Sequence, residues 1–151
     1  MNLKDLTDLP LHDETGKPVS LADFIGKRTL IFTFPRADTP GCTTQACGFR
    51  DAFPKIEDVG AVVLGLSNDA PAALAKWKQK KNLPYMLLSD PDHRVLERLG
   101  AWGERSMMGR KFMGTVRSHF IFDAAGELII SEVKISPADS VAKGTEALLR
   151  I

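Results

Sequence analysis

The chain has 151 residues, 44% of them hydrophobic and 26% charged, with a formal net charge of +1 at pH 7. That length and balance suit one globular domain over residues 1–151 with a core of its own, and they give no electrostatic case for nucleic acid or a membrane surface. No apolar run approaches the roughly 20 residues of a transmembrane helix, and Met1-Asn2-Leu3-Lys4-Asp5 lacks the apolar stretch of a signal peptide, so the expected location is the cytoplasm.

In chain order, Gly16-Lys17-Pro18 reads as a turn between short extended segments, and Ser20 as the cap of a brief helix over Leu21–Ile25. The β-branched and aromatic run 29–34 predicts a strand. Ala46, Phe49, Ala52, Phe53 and Ile56 then recur at helical spacing and predict a helix over 41–58. Strand 61–67, helix 71–81, a short strand near 86–88 and helix 92–99 follow. Residues 100–114, rich in Gly and Met, read as a loop that could line a pocket but is more simply a mobile connection. Strands 115–122 and 127–134 flank the turn Asp123-Ala124-Ala125-Gly126 as a hairpin, and Pro137-Ala138-Asp139 opens a last helix to about Arg150. No internal repeat or low-complexity linker interrupts the pattern. Parallel strands joined by helices, followed by an antiparallel hairpin, predict a mixed sheet with helices on both faces, an α/β/α sandwich.

The two cysteines, Cys42 and Cys47, both follow strand 29–34 closely. Cys42 falls where the strand hands over to a helix. Unpaired backbone N–H groups and the positive end of the helix dipole favour an anion there, and therefore the reactive thiolate. A free thiol with a pKa of about 8.5 is only ~3% ionised at pH 7, so an environment that makes thiolate the main form multiplies the reactive species roughly thirtyfold. Residues five apart in an α-helix have Cα atoms ~8.6 Å apart, beyond the about 7 Å that a disulfide spans. Were these two to pair, the first turns of the helix would have to unwind. Spacing alone leaves open that both are small hydrophobes in a core. Two thiols are too few for a closed zinc site, and His12, His93 and His119 are scattered along the chain.

Thr39-Pro40-Gly41-Cys42-Thr43, preceded by an apolar strand and Pro35 and followed by Cys47 and Phe49-Arg50-Asp51, resembles the active-site signature of peroxiredoxins. The resemblance is to the peroxiredoxin Q group in particular, also called bacterioferritin comigratory proteins. Residues 16–27, Leu88-Ser89-Asp90-Pro91 and residues 107–123 agree in the family's order, so it extends over nearly the whole chain. It implies a thioredoxin-like fold with an N-terminal extension, and thiol-dependent reduction of hydrogen peroxide and organic hydroperoxides with no metal, haem or flavin cofactor. By position, Cys42 resembles the peroxidatic cysteine, which becomes a sulfenic acid. Cys47 resembles the resolving cysteine, which condenses with it to an intramolecular disulfide that an external dithiol such as thioredoxin reduces. Thr39 and Arg117 match the positions that hold peroxide and thiolate, Pro35 and Pro40 those that shape the pocket, and Gly41 and Cys42 offer backbone donors. A monomer or weak dimer is implied.

These residue types suit the chemistry. Attack on an O–O bond expels an oxyanion, so donors must point to where charge develops. A threonine hydroxyl can accept from a peroxide and donate to a thiolate. Arg117, expected within strand 115–122, keeps its charge and offers a rigid fork of donors. Pro40 opens a helix without wasting an N–H. The chain also departs from the family pattern: Gln45 stands where glutamate is usual, His119 where threonine is common, and Thr33 and Met108 where tyrosines are. Leu6-Thr7-Asp8-Leu9-Pro10-Leu11 replaces a common Ala-Pro-Asp-Phe stretch. Such departures bear on pH optimum, substrate preference and reductant docking more than on the reaction. Two other classes stay open: a general thiol–disulfide oxidoreductase, whose Cys-x-x-Cys spacing is missing here, and a holdase-like binding module, for which no motif is present.

Overall fold

The computed structural model describes residues 1–150. In chain order its elements are β1 (Leu11–Asp13), β2 (Pro18–Val19), β3 (Thr29–Thr33), α1 (Pro40–Asp58), β4 (Val62–Ser67), α2 (Pro71–Lys81), β5 (Met86–Ser89), α3 (Arg94–Leu99), β6 (Trp102–Met107), β7 (Arg110–Thr115), β8 (Ser118–Phe122), β9 (Leu128–Val133) and α4 (Pro137–Arg150). Short 3-10 turns span Leu3–Leu6 and Leu21–Phe24, the second capped by the Ser20 hydroxyl on the Ala22 N–H as expected.

Seven strands form one mixed sheet in the order β2-β1-β5-β4-β3-β8-β9. β3, β4 and β5 are parallel, joined by α1 and α2, and β8 closes antiparallel on β3. Every residue of β3 is buried, as a central strand covered on both faces requires. Alternation along it sends Leu30 and Phe32 to a core shared with α1, α2 and α4, and Ile31 to a second core beneath α3 and the two 3-10 turns. The edge strand β9 alternates between half-buried and exposed positions. Helices therefore cover both faces, as the order of elements implies.

Two expectations are corrected. Residues 102–115 form an antiparallel hairpin, β6 on β7, where the sequence reads as a loop to 114. Its turn residues Met108 and Gly109 have φ of +52° and +80°, the backbone of a two-residue primed turn, and Met is not a residue that announces one. Among the described residues the ribbon also pairs with no other strand, so Met107, Met108, Phe112 and Met113 are exposed and show no inward-outward alternation. The expected strand 115–122 is broken as well. β7 ends at Thr115 and β8 starts at Ser118, because the Val116 N–H turns to the Ala101 carbonyl at 2.7 Å. Arg117 therefore sits in a two-residue link between strands. Elsewhere boundaries shift only slightly: α3 begins at Arg94 rather than 92, after His93 in a left-handed conformation, with the Asp90 carboxylate accepting from the Leu96 N–H at 2.8 Å.

Candidate active site

The carboxyl end of β3 runs into Phe34 and a bend at Pro35, and α1 begins five residues later. Thr39 is the N-cap residue, with extended backbone, and Pro40 takes the first helical position, where its fixed φ suits the turn and no N–H is lost. The first intrahelical bond runs from the Thr43 N–H to the Thr39 carbonyl at 2.8 Å. The N–H groups of Gly41 and Cys42 precede it, so they remain available at the positive end of a 19-residue helix. The loop before the helix is anchored from β4: the Ala37 N–H donates to the Asp69 carboxylate at 2.8 Å, which also accepts from the Ser67 hydroxyl at 2.8 Å.

Cys42 is fully buried, with its thiol free. Arg117 reaches it from the link between β7 and β8, its Nη2 standing 3.5 Å from Cys42 Sγ. That link is held on both sides: the Thr33 hydroxyl donates to the Val116 carbonyl at 2.7 Å, and the Arg117 carbonyl accepts from the Ile135 N–H at 2.9 Å. Gly41 makes room for the guanidinium, since a Cβ there would lie 2.9 Å from Nη2. A cation and a helix N-terminus thus converge on one sulfur, an arrangement that stabilises negative charge developing beside it.

These residues line a cleft of about 600 Å³. Pro35, Thr39, Gly41, Cys42 and Arg117 contribute to one side, and Met107, Phe112 and Met113 of the β6–β7 ribbon form an apolar wall. Arg105 adds a second cation, and Asn68, bonded to the Thr115 hydroxyl at 3.0 Å, fastens the ribbon's base to the end of β4. Five of the seven residues singled out in the sequence are therefore brought together. Pro40 shapes the helix start from an exposed position outside the cleft lining. Thr39 differs from expectation in detail: its hydroxyl hydrogen is committed to the Arg36 carbonyl at 2.7 Å, and it makes no hydrogen bond with Cys42. Toward a ligand it offers lone pairs only.

Cys47 lies one helical turn further on, half-buried, outside this cleft. Burial pushes the Tyr85 phenol well above its ordinary value, so its proton stays in place and donates to the Ala46 carbonyl.

Sequence reasoning missed how Gln45 is used. Fully buried, it accepts from Arg117 Nη1 through Oε1 at 2.9 Å and donates from Nε2 to the Ser140 hydroxyl at 3.0 Å. A polar residue on the apolar stripe of α1 was the available signal. Arg105 and the ribbon were hidden by the loop reading. Among the described residues no group of three or more His, Cys, Asp or Glu side chains is placed to hold a metal ion, and no helix is long and apolar enough to cross a membrane.

Comparison with known proteins agrees with this geometry. Residues 3–130 match the AhpC/TSA family. Peroxiredoxin Bcp of Escherichia coli K12 is 46% identical over 118 residues, which cover 78% of this chain and 76% of that one. Peroxiredoxin Bcp of Bacillus subtilis is 38% identical over 141 residues, covering 93% and 90%. The structure of the bacterioferritin comigratory protein of Xanthomonas campestris, solved in connection with its alkyl peroxide reduction activity, superposes with a TM-score of 0.89 at 26% identity over 98% of this chain and 94% of that one. The mixed sheet and its helices share the thioredoxin-like fold of these proteins, and the chain belongs to the AhpC/TSA family, among the Bcp peroxiredoxins, which are thiol peroxidases.

Proposed function

We propose that this peroxidase works through both cysteines, with Cys42 attacking the peroxide and Cys47 resolving the product. The thiolate of Cys42 attacks the terminal oxygen of ROOH; an S–O bond forms, the O–O bond breaks, and the leaving RO⁻ takes up a proton to depart as ROH. Cys42 is left as a sulfenic acid. Arg117 and the Gly41 and Cys42 N–H groups face the charge that develops on the oxygens. Thr39 accepts from the peroxide hydrogen. Once the first turns of α1 unwind, the Cys47 thiolate attacks the Cys42 sulfur; an S–S bond forms, the S–O bond breaks, and the leaving hydroxide takes up a proton to depart as water. An external dithiol such as thioredoxin supplies two electrons and restores both thiols. The observation that carries this reading is the 3.5 Å approach of Arg117 to a sulfur at a helix N-terminus.

The apolar wall of Met107, Phe112 and Met113 beside the polar centre supports organic hydroperoxides as substrates alongside hydrogen peroxide. The alkyl peroxide reduction of the Xanthomonas relative favours the same class. The test is one equivalent of hydrogen peroxide added to fully reduced protein, with thiol counting and mass spectrometry of the peptide containing Cys42 and Cys47. Rapid loss of both thiols with a mass decrease of two hydrogens is expected. Thiols that persist for hours would overturn the role of Cys42; a sulfenic acid that never closes to a disulfide would overturn that of Cys47.

A further inference from the structure

Gln45 and His119, two of the chain's departures from the family pattern, belong to one buried chain of hydrogen bonds. Arginine can only donate, so Arg117 Nη1, 2.9 Å from Gln45, requires the amide oxygen on its side. The amide nitrogen then faces the Ser140 hydroxyl at 3.0 Å and uses one of its lone pairs. His119 Nδ1 lies 2.9 Å from the same hydroxyl. With Nδ1 unprotonated, the hydroxyl donates to it, and donor and acceptor alternate without a break from Arg117 to the imidazole. Gln45, Ser140 and His119 are each at most 1% exposed. α4 is carried close enough for this by its tight packing on α1, where a Cβ on Gly48 would lie 2.5 Å from Val141.

The far end of the chain is open to protons. His119 lines a separate cleft of about 480 Å³ between β9 and α4, and its Nε2 has no hydrogen-bond partner among the described residues. The charged groups facing it are Glu132 from β9, which favours the imidazolium, and Lys143 from α4, which opposes it; Glu146 and Arg150 of α4 line the same cleft. Its β3 neighbour Phe32 carries no charge, and α1 presents Gln45, with Arg117 beyond.

We propose that Gln45, Ser140 and neutral His119 form a positioning relay that holds the Arg117 guanidinium against the Cys42 sulfur, and that protonation of His119 loosens that hold. The proposal rests on the role of Cys42 given above. Protonated, Nδ1 becomes a donor, the Ser140 hydroxyl hydrogen loses its acceptor, and a second cation joins Arg117 on the same buried chain. Burial pushes His119 below the ordinary histidine value, so the relay is complete at neutral pH and fails in acid. His119 touches neither substrate nor sulfur and acts only through Arg117.

The experiment is the rate of Cys42 alkylation by iodoacetamide against pH, in the full chain carrying Cys47→Ser so that one thiol is read. Besides the titration of the thiol itself, an acid-side step that matches the His119 ring titration followed by NMR is expected. His119→Asn, whose side-chain oxygen can replace the Nδ1 acceptor, keeps the neutral-pH rate and loses the step. His119→Phe and Ser140→Ala slow alkylation about threefold to tenfold across the range, the reach of a coupling carried through packed neighbours. The Asn and Ala variants are smaller than the residues they replace and keep the measurement open if the Phe variant does not fold. Superimposable profiles for all four proteins, with Cys42 more reactive than a free thiol, would overturn the relay and leave the peroxidase mechanism standing. A Cys42 no more reactive than a free thiol in every protein would remove both.

Discussion

The first and second turns of α1 hold the two cysteines in opposite conditions. Cys42 is fully buried, faces an arginine at 3.5 Å and sits among unpaired N–H groups. Cys47 is half-buried, accepts no hydrogen bond from the described residues, and belongs to the part of the helix fastened to its surroundings by the Tyr85 hydroxyl on the Ala46 carbonyl, by Gln45 on Ser140, and by Arg50 Nη1 on the Lys81 carbonyl at 2.8 Å. One turn is built to stabilise charge, and the next is built to stay helical. In the proposed cycle, the bonds around the second turn set how much it costs to bring Cys47 to Cys42, and so how long a sulfenic acid survives.

The largest test of this contrast is to exchange the thiols for hydroxyls one at a time. Cys42→Ser is expected to abolish peroxide consumption, whereas Cys47→Ser is expected to give one rapid turnover and then stop as a sulfenic acid that dimedone traps; equal losses in the two variants would erase the distinction. Next comes the cation. Arg117→Ala should slow the first oxidation step by ~10²- to 10³-fold, the usual effect of removing one donor aimed at developing charge, as read by stopped-flow tryptophan fluorescence. Gly41→Ala is subtler, because it leaves every functional group in place and pushes a methyl against Nη2 at 2.9 Å. A loss of about tenfold, equivalent to about 1.4 kcal/mol, is expected in the same assay, and an unchanged rate would show that the exact seat of Arg117 is unimportant.

Tyr85→Phe sharpens the other side of the comparison. It frees the Ala46 carbonyl from its second partner, so the disulfide should close faster while denaturant unfolding shows a loss of about 1 kcal/mol. Slower closure would mean that the second turn does not limit resolution. The smallest effect is on pH. His119 has a folded value pushed below 6.5 by burial, with Lys143 lowering it and Glu132 raising it, so between that value and 6.5 the unfolded chain binds more protons. This contribution to stability is complete above pH 6.5 and is lost as the pH falls from there to the folded value. A thermal melt series should show that acid-side decline, and the decline should shrink in His119→Asn.

Local features of the sequence carried far because local physics produced them. The run 29–34 and the helical spacing from Ala46 to Ile56 marked the junction at Cys42, and Pro40 at the first helical position marked where the helix begins. Residues 102–114 read as a loop for an equally physical reason: a ribbon with most of its side chains in solvent or over a cleft has no buried face to impose a period. Gln45 was seen as a missing charge. Its role as a bridge became visible only once α4 lay against α1.

The amino-acid sequence by itself determined the order of the strands and helices outside the β6–β7 ribbon and the placing of a thiol at a strand-to-helix junction, since both follow from periodicity and from residues that neighbour one another in the chain. The tertiary structure alone decided that Arg117, 75 residues from Cys42, meets its sulfur, and that Gln45 meets Ser140 across 95 residues. Those meetings depend on the pairing of β8 with β3, on the break at Val116 and on the packing of α4 against α1. Sheet register and helix packing are set by the burial of two whole cores, and no local stretch of residues contains that information.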